Sequence, residues 1–452
     1  MSKSNRMTRQ TGLSRLLVNY GMLGILLLLC LFFSILTLRD QPLTGTKAAL
    51  ALFDELRETV PSNAGILIVS HNTEEDSLFF RLLLEKLTER GYASVRIISG
   101  DPPSIRSQLA SLADSASGTK VMATTQSFAP IVETIKAQLK EFKETKVVVP
   151  PSRRWPTFLL PDNLRNVANQ IAVIAIIAIG MTMVIITAGI DLSVGSLIAL
   201  SAVVTAWSVG KLGGESASAS AMLLASLSGM LLCGAIGAFS GLMITRFRIP
   251  PFIATLAMMQ VAAGLAYVIS QGKPIYRLPE AFIWLGRGAE PVLKIPYAVL
   301  LMAVLYLAAH VLMTRTTTGR YIYAVGGNME AARLAGIRVR LVLFFVYAVC
   351  GMLAGLGGVV MASQLKSGAP TYGLTYELYV IAAVVVGGTS LSGGEGHIFG
   401  TLIGAFIISV IQNGMNLTNI ESYTQKIILG LVILGAVLLD RLKQRGFRLK
   451  RA

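Results

Sequence analysis

Long apolar runs recur along most of this chain and constrain its fold more than any other feature. A helix of about 20 apolar residues crosses the hydrocarbon core of a bilayer. The composition agrees, since 53% of the residues are hydrophobic and only 14% are charged, whereas a soluble chain has about a quarter charged residues. The sequence therefore predicts an α-helical integral membrane protein of about ten transmembrane helices, at residues 16–38, 171–188, 192–210, 220–245, 250–270, 297–314, 341–362, 377–391, 396–415 and 424–440.

The charge distribution indicates how these runs are oriented. The formal net charge of +16 belongs to the apolar part of the chain, because residues 40–156 contain equal numbers of acidic and basic residues. Ten spans with a cytoplasmic N-terminus place 17 basic residues inside and seven outside, with 40–156 set aside. This bias follows the positive-inside rule and is better explained by membrane insertion among lipids than by a nucleic-acid partner.

The predicted topology is therefore a multi-pass membrane protein with both ends cytoplasmic. Residues 1–39 would hold the N-terminus and the first helix, and 441–452 a basic cytoplasmic tail. A cleaved signal peptide is the alternative for the first run, although no small-x-small cleavage site follows Leu38.

A water-soluble segment separates the first two runs. GILIVS at 65–70 is typical of a buried strand, and EEDSLFFRLLLEKLTERG at 74–91 of an amphipathic helix. Four such strands separated by three helices indicate a small parallel α/β sheet. We expect residues 40–156 to form an extracytoplasmic α/β domain inserted after the first helix, and 157–440 to form the transmembrane bundle.

The stretch TAGIDLSVGSLIAL, 187–200, places an acid and two glycines between two apolar runs. Irregular backbone at membrane depth persists only where protein or a watery cavity surrounds it, and an ionisable residue there indicates a substrate path. Asp191 and Ser193 are therefore predicted path residues. A purely structural role is equally open, because Asp191 is suited to cap the next helix by accepting from the N–H of Ser193 or Val194.

Further polar residues lie in the segment 376–417. Glu377 opens an apolar run, Thr389 lies among glycines, and Gln412 and Asn413 are near the end of an apolar helix. Buried polar groups are costly unless they face a polar cavity or another helix, so these four are also predicted path residues. The glycines have an alternative explanation in close helix packing.

The loop 314–340 breaks at Gly326 and Gly327, after which Asn328 is suited to cap a short helix, MEAARLAG. A short helix between two spans, parallel to the membrane, suits docking into a groove on a cytoplasmic motor protein. A basic loop held at the lipid headgroups is the alternative.

Several chemistries are missing from the sequence. It contains no G-x-x-x-x-G-K-[ST] motif, nucleophile elbow or zinc signature, and its three cysteines and three histidines are scattered. The chain is thus predicted not to be an enzyme by itself and to need no cofactor. An ion-coupled secondary transporter, using Asp191 and Glu377, and a membrane-bound ligand sensor are the alternatives to ATP-powered transport by a separate ATPase.

Four segments carry a family resemblance: AIGMTMVIITAGIDLSVGS, FIATLAMM, TGRYIYAVGGNMEAARLAGI and IAAVVVGGTSLSGGEGHIFGTLIGA. From about Phe158 to Asp440 the chain resembles the membrane permease of bacterial ATP-binding-cassette importers for simple sugars, the ribose, xylose, arabinose and galactose group. The resemblance implies a location in the bacterial cytoplasmic (inner) membrane and import of a simple sugar or related small polar solute. Nucleoside import by the same family is an alternative.

The resemblance also implies partners. These are a cytoplasmic ATPase, a second permease copy or a sister permease, and a periplasmic sugar-binding protein. Residues 328–336 would form the helix that couples the permease to the ATPase, and the residues implied in that role are Asn328, Glu330, Arg333 and Gly336.

The segment 40–156 departs from this family. Its GILIVSHNTEEDSLFFRLLLEKLTERGY resembles the opening strand and helix of periplasmic sugar-binding proteins of the ribose-binding type. Those proteins have two lobes, and this insert has the size of one at most. We hypothesise an incomplete binding-protein-like domain that docks or replaces a free binding protein, with a purely structural insert as the alternative. Its ligand candidates follow the first strand and are Asn72, Asp76 and Phe79.

Overall fold

A computed structural model describes residues 12–92, 94–112 and 119–449 of the chain. Part of the basic N-terminus and of the basic tail assigned to the cytoplasm from sequence lies outside the described residues, at 1–11 and 450–452.

The chain forms two compact units. One consists of Met1–Thr37 with Phe158–Ala452, and the other is Leu38–Thr157. The hydroxyl of Thr37 accepts a hydrogen bond from the N–H of Phe158 at 3.1 Å. The first unit is therefore closed by a direct contact at the point where the chain leaves it and re-enters it.

The unit Leu38–Thr157 is an α/β domain. Its elements in chain order are β1 Leu38–Pro42, α2 Gly45–Thr59, β2 Gly65–Ser70, α3 Glu74–Glu89, β3 Val95–Ser99, α4 Pro102–Ser111, β4 Thr119–Ala123, α5 Ala129–Gln138, β5 Lys146–Val148 and β6 Ser152–Pro156. Strands β2 to β5 form one parallel sheet in the order β3-β2-β4-β5. Every residue of β2 is buried, which is why this strand is a continuous apolar run rather than an alternating one.

Two features of this unit are missing from the sequence analysis. Helix α2 buries Leu52 and Leu56 in the same core cluster as Ile66 and Ile68 of the sheet. Strands β1 and β6 pair antiparallel, from Leu38 opposite Pro156 to Pro42 opposite Ser152. Their sequences, LRDQP and SRRWP, are polar and contain proline, so no local strand pattern reveals a pairing that depends on residues far apart in the chain.

The other unit is helical. Its helices are α1 Gly12–Leu36, α6 Pro161–Ile186, α7 Val194–Lys211, α8 Ala219–Phe247, α9 Pro251–Ser270, α10 Trp284–Arg287, α11 Tyr297–Arg315, α12 Thr317–Gly327, α13 Met329–Leu334, α14 Val339–Leu365, α15 Tyr376–Val386, α16 Ile398–Leu417 and α17 Ser422–Leu449.

Seven helices of the described part are long and apolar enough to cross a membrane: α6, α7, α8, α9, α11, α14 and α16. Three shorter apolar helices are Gly21–Leu36, Tyr376–Val386 and Ser422–Leu438. Each predicted run thus corresponds to a helix, but α15 ends at Val386 instead of continuing to 391. Its 11 residues rise about 16 Å, about half the hydrocarbon thickness of a bilayer, so α15 is too short to cross alone.

Helix α6 lies at the centre of the bundle, since every residue from 171 to 187 is buried. A helix that is apolar on all sides is expected to be enclosed by other helices. Helix α14 approaches it closely at Gly180, where an added Cβ would lie 2.6 Å from the Cα of Cys350. Small residues allow this backbone approach, and it brings the middle of α14 next to the end of α6.

Candidate functional site

Helix α6 ends in a Schellman motif at the predicted interruption. The N–H of Gly189 donates to the carbonyl of Val184 at 3.0 Å, and that of Ala188 to Ile185 at 2.9 Å. Ala188 has a φ of 60°, in the left-handed region where a residue other than glycine costs about 1–2 kcal/mol. The end of α6 is therefore strained at a position that the sequence did not single out.

The break between α6 and α7 covers residues 187–193, longer than the predicted 189–191. Within it, Asp191 is 0% exposed. Its Oδ1 accepts from the N–H of Ser193 at 2.9 Å and from the Ser193 hydroxyl at 2.6 Å. The predicted hydrogen bond from the Ser193 N–H is thus present, but Asp191 is not the cap of α7: the N-cap position is Ser193, which has no side-chain capping bond, and Asp191 closes the turn just before it.

The second carboxylate oxygen of Asp191, Oδ2, has no hydrogen-bond partner among the described residues. The thiol of Cys350, which is at most a weak donor, lies beside the carboxylate. Leaving a buried acceptor unsatisfied costs about 1–3 kcal/mol. One oxygen of Asp191 therefore holds the turn before α7, and the other has at most the weak thiol donor of Cys350 beside it.

A cavity of about 1070 Å³ adjoins this break. At its buried end are Thr187, Gly189 and Tyr347, and at its exposed end are Glu330 and four arginines: Arg248, Arg333, Arg338 and Arg340. A single cavity thus connects the broken helix with the segment that contains α13.

Helix α13 is a short helix with both ends capped. The Asn328 side chain accepts from the N–H of Ala331 at 3.0 Å, and Gly336, at φ 85°, ends the helix in a second Schellman motif. Glu330 and Arg333 are exposed, with 3.9 Å between their charged atoms. Leu334 is 88% exposed. The helix therefore presents an apolar side chain and a charged pair on its outer face.

A glycine junction, formed by Gly326, Gly393 and Gly394, connects α13 to the end of α6. The N–H of Gly394 donates to the carbonyl oxygen of Ile186 at 2.8 Å, and a Cβ added at Gly326 would overlap that oxygen. A Cβ added at Gly393 would lie 2.9 Å from the Cβ of Ala188. The end of α12, the glycine-rich loop 387–397 and the strained turn are thus in backbone contact.

Two other predicted path residues lie at the edges of this region. The carboxylate of Glu377, at the start of α15, lies against Gly195 in the first turn of α7. The buried hydroxyl of Thr389 has no hydrogen-bond partner within the described chain, and a Cβ added at Gly396 would lie 2.7 Å from it. Glu377 and Asp191 are therefore both near the start of α7.

Comparison with known proteins identifies the family to which the chain belongs. Residues 163–437 match the family described as branched-chain amino acid transport system / permease component. The chain belongs to this family. The ribose import permease protein RbsC of Escherichia coli (strain K12) is 45% identical over 293 residues, which cover 64% of this chain and 88% of that protein.

Two further relatives are similar over the same part of the chain. The D-allose transport system permease protein AlsC of Escherichia coli (strain K12) is 38% identical over 285 residues, covering 63% of this chain and 85% of its own. The L-arabinose ABC transporter permease protein AraH of Azospirillum brasilense is 36% identical over 293 residues, which cover 65% of this chain and 84% of that protein. No solved structure matches the chain.

These matches confirm the resemblance to permeases of simple-sugar importers. The chain is a multi-pass membrane permease subunit of an ATP-binding-cassette importer, a family that implies an ATPase and a substrate-binding protein as partners. Its relatives are transport subunits rather than enzymes. The unit Leu38–Thr157 precedes the matched residues.

The amides predicted for the path are far from the cavity of this permease. Asn413 forms a reciprocal pair with Asn163, at 2.9 and 3.0 Å, and Asn163 also donates to the carbonyl of Phe158 at 2.8 Å. Asn163 and Ile186 are at opposite ends of α6, about 35 Å apart at 1.5 Å per residue. Asn413 therefore ties α16 to the first turn of α6, and Gln412, half-buried, adjoins it.

The ligand candidates of the α/β unit differ in accessibility. Asn72 is exposed, and the carboxylate of Asp76 accepts from the Thr73 hydroxyl at 2.9 Å at the start of α3. Phe79 is 0% exposed and packs in the core with Leu83. Its side chain is not open to a ligand. In the described residues of both units, no group of three His, Cys, Asp or Glu side chains is arranged to hold a metal ion.

Two parts of the site were missed from sequence. Tyr347 and Cys350 look like ordinary members of an apolar helix, and only the packing of α14 on α6 reveals them. The second is a repeated motif, GIDLS at 189–193 and GTSLS at 388–392. In each the side chain of the third residue accepts from the N–H two residues later, at 2.9 Å for Ser193 to Asp191 and 3.2 Å for Ser392 to Ser390. This similarity was available in the sequence.

Proposed function

We propose that this permease subunit imports a simple sugar, such as a pentose, across a bacterial cytoplasmic membrane. The observation that carries the proposal is the cavity connecting the broken helix at Gly189 to the exposed α13 segment. Relatives named for ribose, allose and arabinose support a sugar as the solute.

The proposed topology has ten membrane segments with both ends cytoplasmic, and α15 forms one of them together with the loop 387–397. It places the breaks at 187–193 and 387–397, the turn after α8 and the segment 314–340 towards the cytoplasm. Residues 40–156 are then extracytoplasmic. The exposed arginines at the mouth of the cavity support this orientation, because basic residues concentrate on the cytoplasmic side.

The translocation path runs along the cavity towards the start of α7. Asp191 and Ser193 shape the break, and Glu377 and Thr389 border it. Asn413 and Gln412 hold the far end of α6 and α16 in place, a scaffolding role that their distance from the cavity favours.

The proposed docking point for the ATPase is α13. The caps at Asn328 and Gly336 stabilise this six-residue helix, and the exposed leucine at its end would gain free energy by burial against a partner. Because importers of this kind have two membrane subunits, the path is completed by a second copy of this chain or by a sister permease.

The unit Leu38–Thr157 is proposed as an extracytoplasmic domain that docks or replaces the sugar-binding protein. Asn72 and Asp76 lie at the carboxyl end of β2, where open parallel sheets bind ligands. A ligand screen on the full-length protein, with and without a binding protein, tests this role.

Uptake in reconstituted vesicles tests the proposed function. Vesicles containing the permease, its ATPase and a binding protein should accumulate labelled D-ribose or a related sugar only with ATP. In vesicles that contain the Glu330→Ala or Arg333→Ala permease, the ATPase should still hydrolyse ATP, but sugar uptake should not increase with it. Uptake driven by an ion gradient in the absence of ATP would contradict the proposal.

A further inference from the structure

Tyr347 has a hydroxyl for which the fold offers no use. The side chain is 0% exposed, and its Oη has no hydrogen-bond partner in the described part of the chain. A buried hydroxyl without a partner costs about 1–3 kcal/mol, so phenylalanine would serve packing better at this position. The hydroxyl is therefore an unexplained polar group.

The position of this hydroxyl is specific. A Cβ added at Gly189 would overlap Oη and lie 3.3 Å from Cζ of Tyr347. Glycine at 189 thus provides the room that the hydroxyl occupies, and a phenylalanine ring at 347 would remove the overlap, leaving an added Cβ in tight contact at 3.3 Å from Cζ. Gly189 is needed here for space, whereas Ala188 carries the left-handed φ.

This contact lies at the buried end of the cavity. Thr187, Gly189 and Tyr347 belong to the cavity wall yet are all buried, whereas the charged residues at the other end are exposed. Asp191, whose Oδ2 also lacks a partner within the described residues, is within electrostatic range of the Tyr347 hydroxyl. Two buried polar atoms without a hydrogen-bond partner in the described residues are thus close to each other beside this end of the cavity.

We propose that Tyr347 forms the closed gate with Gly189 and is a solute-contacting residue, whose hydroxyl hydrogen-bonds a hydroxyl group of a neutral polyhydroxylated solute when the gate opens. A tyrosine hydroxyl both donates and accepts, as does a sugar hydroxyl. The inference rests on the proposed function and adds to it the residue that contacts the solute.

Tyr347→Phe tests the proposal, with Tyr306→Phe as the matched control. Tyr306 is equally buried, but its hydroxyl donates to the carbonyl of Ala175 at 3.0 Å. Tyr347→Phe should leave the melting temperature of the purified permease unchanged or higher, whereas Tyr306→Phe should lower it. A fall for Tyr347→Phe as large as that of the control would overturn the proposal, because the hydroxyl would then have a structural partner.

Uptake by the reconstituted importer gives the second measurement. Tyr347→Phe should reduce the initial rate of D-ribose uptake about five-fold, the contribution of one neutral hydrogen bond. Among monodeoxy analogues of ribose, the loss should vanish for the analogue that lacks the contacted hydroxyl. Unchanged ribose uptake, or an equal loss for every analogue, would refute the contact.

A second pair of variants tests the gate itself. Gly189→Ala should lower the melting temperature because its methyl group overlaps Oη, and combining it with Tyr347→Phe should restore stability. Additive effects of the two substitutions would contradict the Gly189–Tyr347 contact. If wild-type vesicles accumulate no sugar, the proposed function fails, whereas these melting temperatures still decide whether the gate contact exists.

Discussion

The backbone N–H of Gly394 donates to the carbonyl oxygen of Ile186 at 2.8 Å, directly against Gly326. This bond joins the glycine-rich loop to the last turn of α6, and Gly326 belongs to the helix that precedes α13. The segment that contains α13 is therefore joined to the broken helix through backbone contacts, without an intervening side chain.

Gly326→Ala should disrupt this junction. The added methyl group overlaps the Ile186 carbonyl, and overpacking of a tight site costs about 1–3 kcal/mol. We expect a lower melting temperature in detergent and slower sugar uptake per inserted permease. Gly327→Ala is the control, because nothing lies within 4 Å of its added Cβ. Equal effects of the two substitutions would argue against the junction.

Asp191→Asn and Asp191→Ala separate the turn hydrogen bond of this residue from its charge. Asparagine retains an acceptor for the Ser193 N–H, so the melting temperature should stay equal or rise. Alanine removes the acceptor, leaves the buried Ser193 N–H without it and should cost about 1–3 kcal/mol. Thermal unfolding of the purified variants measures both. A large loss of stability for asparagine would show that the charge itself holds the start of α7.

Leu334→Ser should weaken ATPase binding without affecting membrane insertion. The side chain is 88% exposed on α13, so its removal costs the bundle little, whereas burying leucine against a partner contributes about 1.5–3 kcal/mol. Co-purification of the ATPase with the permease measures the effect. Leu374→Ser is the control, because Leu374 is also exposed but lies on the extracytoplasmic side in the proposed topology. This variant should bind the ATPase normally. Normal ATPase binding by Leu334→Ser would remove α13 as the docking point.

Deleting residues 45–150 and joining the ends with a short turn should leave an insertable bundle. The ribbon of β1 and β6 already pairs Pro42 with Ser152, and Thr37 bonds to Phe158 independently of the sheet. Membrane fractionation and the melting temperature of the shortened chain provide the measurements. A shortened chain that is degraded or remains uninserted would mean that the bundle depends on the α/β unit for folding.

Local patterns in the sequence indicated much of this protein. The apolar runs, the four parallel strands and the capped helix α13 each depend on residues within about 20 positions of one another, so hydropathy and periodicity reveal them. The Asp191–Ser193 hydrogen bond was also accessible, because aspartate commonly accepts from the backbone N–H two residues on. Signals of this kind do not show where a helix ends near a glycine pair. The predicted run 377–391 is therefore longer than α15, which ends at Val386.

The tertiary structure alone decided which residues meet. Asn163 and Asn413 are 250 positions apart, and the contact of Gly189 with Tyr347 depends on the depth at which α14 packs against α6. An apolar helix that is buried on all sides shows no preferred face in its sequence, so the sequence indicates that α6 is enclosed but not by which neighbours. Only packing in three dimensions placed Tyr347 at the buried end of the cavity and Asn413 far from it.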